Sequence, residues 1–154
     1  MTTPLRIALD ALPLQVRSAG VARYVRGLID GLTALDARLD LRLFGLPRPW
    51  PLPRAAHWPA SVRAVPSLRY PAVMGIGLPR LVHLEAALGE LDLFHATAYA
   101  VPRRRRAPVV LTVHDLTLLR APELGTPALR RSVQRAAARA AEARLVIADS
   151  QAAT

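Results

Sequence analysis

The stretch VVLTVHDLTLLRAPE over 109–123 constrains the fold more than any other part of the chain. Its first five residues form an unbroken apolar run rich in β-branched side chains. Strict alternation fits a sheet with one wet face, whereas a continuous run fits a strand covered on both faces, as in parallel α/β sheets. The run ends in His114-Asp115, and a polar loop with Pro122-Glu123 then leads towards a helix. Ligands of open parallel sheets bind beyond the carboxyl ends of the strands. An imidazole beside a carboxylate at such an end marks a candidate site.

The rest of the chain repeats the pattern. Strands are predicted over 5–10, 41–46, 91–96 (LDLFHA) and 145–149, with a short one within 61–65. Val21, Tyr24, Val25, Leu28, Ile29, Leu32 and Leu35 recur at helical spacing, which predicts an amphipathic helix ending near Ala37. A second helix is predicted over 78–88, with Gly75 and Gly77 as a flexible lead. A third runs from Pro127 to about Ala143, and Ser150 suits the cap of a further one from Gln151. The connection over 47–71 holds seven prolines with Trp50 and Trp58, and loops of such length are usually functional or mobile. Strands alternating with helices give an α/β class, a three-layer Rossmann-like domain with a mainly parallel sheet.

At 154 residues the chain is sized for one domain, and 52% apolar composition excludes a disordered one. No apolar run approaches the roughly 20 residues that span a bilayer, and MTTPLRIALD lacks the pattern of a secretory leader. Cysteine is absent, which excludes disulfides and thiolate chemistry and points to a cytoplasmic protein. All 21 basic residues behind the net charge of +10 are arginine, and neither lysine nor asparagine occurs. That bias matches GC-rich, bacterial coding, so charge alone is a weak guide to partners.

The densest charge is Arg103, Arg104, Arg105 and Arg106. A solvated loop is the first reading. The second is a peripheral contact with an anionic membrane, where each basic residue contributes roughly 1 kcal/mol, extended by Arg130, Arg131, Arg135 and Arg139. Nucleic acid ranks third, because no reader motif or stacking platform accompanies the cluster.

His114 is read as a site residue, with the finish of a strand as the alternative, and a structural hydrogen-bonding role for Asp115 weighs as much as a binding one. His95 ends its strand as His114 does, and it either lines the same cleft or is a buried, satisfied histidine. Gly20 precedes a helix whose N-terminus suits phosphate, or is a plain turn glycine. Arg23 is either cleft-facing or solvated, and Tyr24 falls on the apolar helix face as core. The four histidines show no metal-ligand spacing, so no metal is expected.

Four segments stand in a specific order: SAGVARYVRGLI (18–29), DLFHATAYAVP (92–102), the 109–123 stretch and LVIADS (145–150). Together they resemble the N-terminal half of a family 4 glycosyltransferase, of the group 1 or mannosyltransferase-like kind, across 5–154. The resemblance implies a GT-B fold of two facing Rossmann-like halves, the N-terminal one receiving the acceptor and the C-terminal one a UDP- or GDP-sugar. It implies transfer to an acceptor hydroxyl, on a glycan or a lipid-linked sugar, as in polysaccharide biosynthesis, with retention and without a metal. Gly20 then lies near the donor diphosphate and acceptor, with Ala22 where many relatives carry a second glycine, and His114 faces the donor sugar. The family's donor-site basic pair and its carboxylates eight residues apart belong to the C-terminal half and are not in this sequence. The expectation is an acceptor-side domain that stops before its last helix and strand and is inactive alone. A non-catalytic binding module is the alternative.

Overall fold

The computed structural model describes residues 3–16, 19–35, 38–47, 51–52, 55–75, 82–98, 100–114 and 121–148. Six strands form one sheet: β1 (Arg6–Asp10), β2 (Asp40–Gly45), β3 (Val62–Pro66), β4 (Leu93–Ala96), β5 (Val109–Val113) and β6 (Leu145–Ala148). Their order is β3-β2-β1-β4-β5-β6 and every neighbouring pair is parallel. The progression reverses between β1 and β4, which makes the crevice beyond their carboxyl ends the topological switch point.

Among the described residues the helices are α1 (Leu12–Gln15), α2 (Ala19–Leu35), α3 (Tyr70–Met74), α4 (Leu84–Leu88) and α5 (Pro127–Ala140), with a 3₁₀ turn at Pro122–Leu124. Successive side chains of a strand point to opposite faces, so each strand feeds two cores. Ile7, Leu9, Leu41 and Leu43 meet Ala22, Val25 and Ile29 of α2. Ala8, Phe44, Phe94, Ala96, Val109 and Leu111 meet Tyr70, Val73 and Met74 of α3 and Leu84 and Leu88 of α4, with Ala140 of α5 at the margin. Covered on both faces, these strands carry the unbroken apolar runs seen in the sequence. Burying each large apolar side chain stabilises the fold by about 1.5–3 kcal/mol.

A clamp at the amino ends fixes the register of β1 on β4. The Arg6 guanidinium donates to both carboxylate oxygens of Asp92 (3.1 and 2.9 Å), its backbone N–H adds a third bond (2.8 Å), and Glu90 takes the remaining arm (2.9 Å). These bonds hold the Asp92 carboxyl at about 2. The Pro-rich connection is fastened as well. Trp58, buried, donates from Nε1 to Asp30 on α2 (2.6 Å), and His57 Nε2 lies 2.9 Å from the same oxygen.

Local differences from the sequence reading have local causes. The segment 70–74, expected as the end of a loop and a flexible lead, is a helix. Pro71 sits in its first turn, where a missing N–H is harmless, and Gly75 at φ 73° closes it in the left-handed conformation. Gly75 is therefore a stop rather than a lead. Proline in the first turn likewise accompanies the short α1, where no helix was predicted. Helix α2 begins at Ala19, which moves Gly20 from the turn into the helix. The helix expected over 78–88 is described from Leu84, and 78–81 lie outside the described residues. Also outside them are Trp50, Asp115, Asp149, Ser150 and the helix expected from Gln151. Among the described residues strand β6 lies at one edge of the sheet, and its Leu145 and Val146 are exposed.

Candidate functional site

The carboxyl ends of β1, β4 and β5 carry Asp10, His95, Thr97, Thr112 and His114, with Tyr24 of α2 over one face. Strand β1 ends in Asp10, β4 runs on into Thr97, and β5 runs on into His114. The Thr97 hydroxyl donates to the Asp10 carbonyl (2.6 Å), and the Thr97 carbonyl lies 2.9 Å from His114 Nε2. A carbonyl can only accept, so Nε2 of His114 carries the proton. Side chain and backbone thus stitch the three strand ends in the order β1, β4, β5.

On the α2 face, Tyr24 stands over this stitching. Its ring makes a T-shaped contact with His114 (centroids 4.9 Å, 78°) and a looser one with His95 (6.4 Å, 77°). Its hydroxyl lies 2.9 Å from Thr112 Oγ1, and His95 Nε2 lies 2.7 Å from the same oxygen. Tyr24 was read as core. It is half-buried, and its phenol reaches past the core to the ends of the strands.

The two histidines differ in exposure. His95 is 5% exposed, and burial, helped by the nearby His114, pushes it down to about 4. It is a neutral imidazole at pH 7 that holds Thr112, which matches the buried, satisfied alternative. His114 is partly exposed.

The other face of the sheet holds a residue that the sequence reading missed. Asp10 is 1% exposed, and burial raises its carboxyl to about 6 even though the Tyr70 hydroxyl (2.5 Å) and the Leu12 N–H (3.1 Å) donate to it. Burial and the adjacent Asp10 raise the Tyr70 phenol in turn. The available signal was the one that singled out His114: a titratable side chain closing an apolar strand. Thr97 and Thr112 gave none, because a threonine at a strand end is ordinary.

Gly20 and Arg23 lie in the first turns of α2, and both are exposed. A Cβ on Gly20 would meet no protein atom within 4 Å. The space before it is open. Asp115 lies outside the described residues.

The basic run is elsewhere. It leads back to Pro108, whose carbonyl accepts the N–H of Phe94, so it returns to the amino edge of the sheet, opposite His114. Burial pushes the Glu85 carboxyl up, but the backbone N–H groups of Arg106 (2.8 Å), Ala107 (3.1 Å) and Arg105 (3.0 Å) outweigh it and hold it at about 2. Arg104 pairs with Glu142, which Arg139 also holds at 2.7 Å, while Arg103, Arg105 and Arg106 are exposed. The arginines thus ride on a loop built around one carboxylate. Glu85→Gln is expected to cost about 1–3 kcal/mol in urea denaturation at pH 7 by weakening three N–H bonds to a charged acceptor. With the folded carboxyl depressed, this contribution is complete above 4.5 and is lost as pH falls from there to about 2.

Among the described residues no three His, Asp or Glu side chains gather as metal ligands, and no helix is long and apolar enough to cross a membrane. No curated protein and no solved structure matches the chain. The profile of glycosyltransferase family 4 matches residues 18–154, from α2 through β6, and so contains both the α2 start and the His114 strand end. A parallel six-stranded sheet with its switch point between β1 and β4 is the Rossmann-like arrangement of one GT-B half. The chain belongs to glycosyltransferase family 4, as an N-terminal domain of the GT-B type.

Proposed function

We propose that this domain is the acceptor-side half of a retaining glycosyltransferase that moves a sugar from a UDP- or GDP-sugar to the hydroxyl of a glycan or lipid-linked acceptor. A second Rossmann-like half holds the donor, and without it the domain does not transfer. The observation that supports this best is His114: partly exposed at the carboxyl end of β5, beside the switch point, with its Nε2–H committed to the Thr97 carbonyl. An imidazole so fixed hydrogen-bonds a sugar hydroxyl in a defined direction. The first turn of α2 offers backbone N–H groups and a positive dipole end to the diphosphate, with open space before Gly20. In the reaction the acceptor oxygen bonds to the anomeric carbon as the bond to the diphosphate breaks, and the hydroxyl proton leaves with the phosphate oxygen. No metal is assigned a part. Arg23 approaches the anionic donor from the exposed side of α2, and Arg103, Arg105 and Arg106 let the domain rest on the cytoplasmic face of an anionic membrane.

Chemical-shift mapping tests the placement on the chain itself. Millimolar UDP, GDP and methyl mannoside, added separately, are expected to shift amides around Gly20, Thr97 and His114. Shifts confined to 103–106 would refute the reading and leave a binding module for anionic surfaces.

A further inference from the structure

We propose that the cleft between strand β3 and helix α4 binds a small organic anion, a carboxylate or phosphate on a short apolar body. The cleft lies on the far side of β1 from His114, so its ligand is additional to those proposed above. It encloses about 350 Å³ and is lined by Arg42, Arg63, Ala64, Val65, Ala87 and Leu88. That volume suits a small ligand, and pockets of this kind pair apolar walls with a few fixed polar groups.

Arg42 and Arg63 are register partners on β2 and β3, so both project from the same face of the sheet. Like charges placed side by side on neighbouring strands are unfavourable. Asp40 offsets one of the two. Its Oδ2 takes Nε and Nη2 of Arg42 (3.0 and 2.7 Å), and its Oδ1 takes Nε and Nη2 of Arg63 (3.2 and 2.6 Å). Arg42 is used up, because its Nη1 donates to the Leu88 carbonyl. Arg63 is not. Its side chain is 56% exposed, against 16% for Arg42, and among the described residues its Nη1 has no acceptor. Asp40 therefore orients the Arg63 guanidinium and leaves the outer edge, Nη1 with the second N–H of Nη2, as a planar fork for an oxyanion. Arg69 adds a second cation, bonded through Nη1 to the Ala86 carbonyl beside Ala87. Glu90 and Asp92, which follow α4, are held by Arg6 and do not cancel this charge. Below the cations, Val65 and Ala87 are partly covered and Leu88 is buried, which gives the body of a ligand an apolar wall.

The test titrates four probes into the ¹⁵N-labelled chain at fixed ionic strength: hexyl phosphate, hexanoate, inorganic phosphate and hexanol. Hexyl phosphate or hexanoate is expected to bind with a Kd of about 1 mM, shifting amides over 63–65 and 86–88 and the Arg63 Nε–H. The tighter of the two names the head group. Inorganic phosphate and hexanol should bind at least about tenfold more weakly, since each has half of the required chemistry. Arg63→Gln is expected to weaken the anionic probe about tenfold, and Arg63→Lys, which keeps the charge without the fork, about threefold. Ala87→Leu, which fills the cleft and keeps every arginine, should reduce hexyl phosphate to the level of inorganic phosphate. Inorganic phosphate binding as tightly as hexyl phosphate would overturn the proposal, by showing surface charge alone. Hexanol binding as tightly as the anions, an unmoved Kd in Arg63→Gln, or shifts confined to other segments would overturn it too.

Discussion

Asp10→Asn and His95→Gln are expected to tilt the pH dependence of stability in opposite directions, by about 2 kcal/mol each between pH 4.5 and 6.5. Both side chains are almost fully buried, and neither has an ion-pair partner among the described residues. The Asp10 carboxyl is raised from 3.8 to about 6, so between these values folding takes up a proton. Its contribution is complete below 3.8 and is lost as pH rises to about 6. His95 is lowered from 6.5 to about 4, so the unfolded chain binds a proton that the folded one refuses. Its contribution is complete above 6.5 and is lost as pH falls to about 4. In the wild type the two slopes oppose one another and largely cancel. Asp10→Asn exposes the histidine slope, and stability falls towards acid. His95→Gln exposes the carboxyl slope, and stability falls as pH rises towards 6. Urea midpoints from pH 4.5 upward avoid the range in which Glu85 and Asp92 protonate. Parallel profiles for the three proteins would contradict the burial argument.

The second large effect falls on rate more than on stability. His114→Ala is expected to lower transfer by the full protein about 10²–10³-fold, the loss typical of removing one aimed hydrogen-bonding group from a reacting centre. Stability should change less, by about 1–3 kcal/mol, the cost of leaving the buried Thr97 carbonyl without its donor. His114→Gln, which retains an N–H at a similar reach, should recover part of the rate. A large drop in urea midpoint with His114→Ala would instead mark the ring as structural.

Much of this was legible in the chain. The runs over 5–10, 91–96 and 109–113 announced buried parallel strands because each side of the sheet is covered, and the helical spacing from Val21 to Leu35 announced α2. His114 was legible because an imidazole closing an apolar strand is conspicuous. Asp10 was not recognised, although it closes β1 in the same way, because one carboxylate ending a strand is common and only its burial against Tyr70, 60 residues away, sets it apart. Tyr24 packs against the core as its spacing predicted, but its second set of contacts was hidden for a related reason. Helical spacing places it on the apolar face but cannot tell that its phenol reaches two histidines brought in by β4 and β5. The helix over 70–74 was hidden by Pro71, which reads as a breaker until its place in the first turn is known. The basic run is largely the solvated loop it was read as, but its anchor stayed hidden because Glu85 lies 20 residues upstream of Arg105.

The most direct test of the account is sugar transfer from a panel of UDP- and GDP-sugars by three samples: the full protein, its His114→Ala variant, and the 154-residue chain alone. The account predicts transfer by the first, a loss of about 10²–10³-fold in the second, and none by the third. Transfer by the 154 residues alone, or an undiminished rate in His114→Ala, would contradict it.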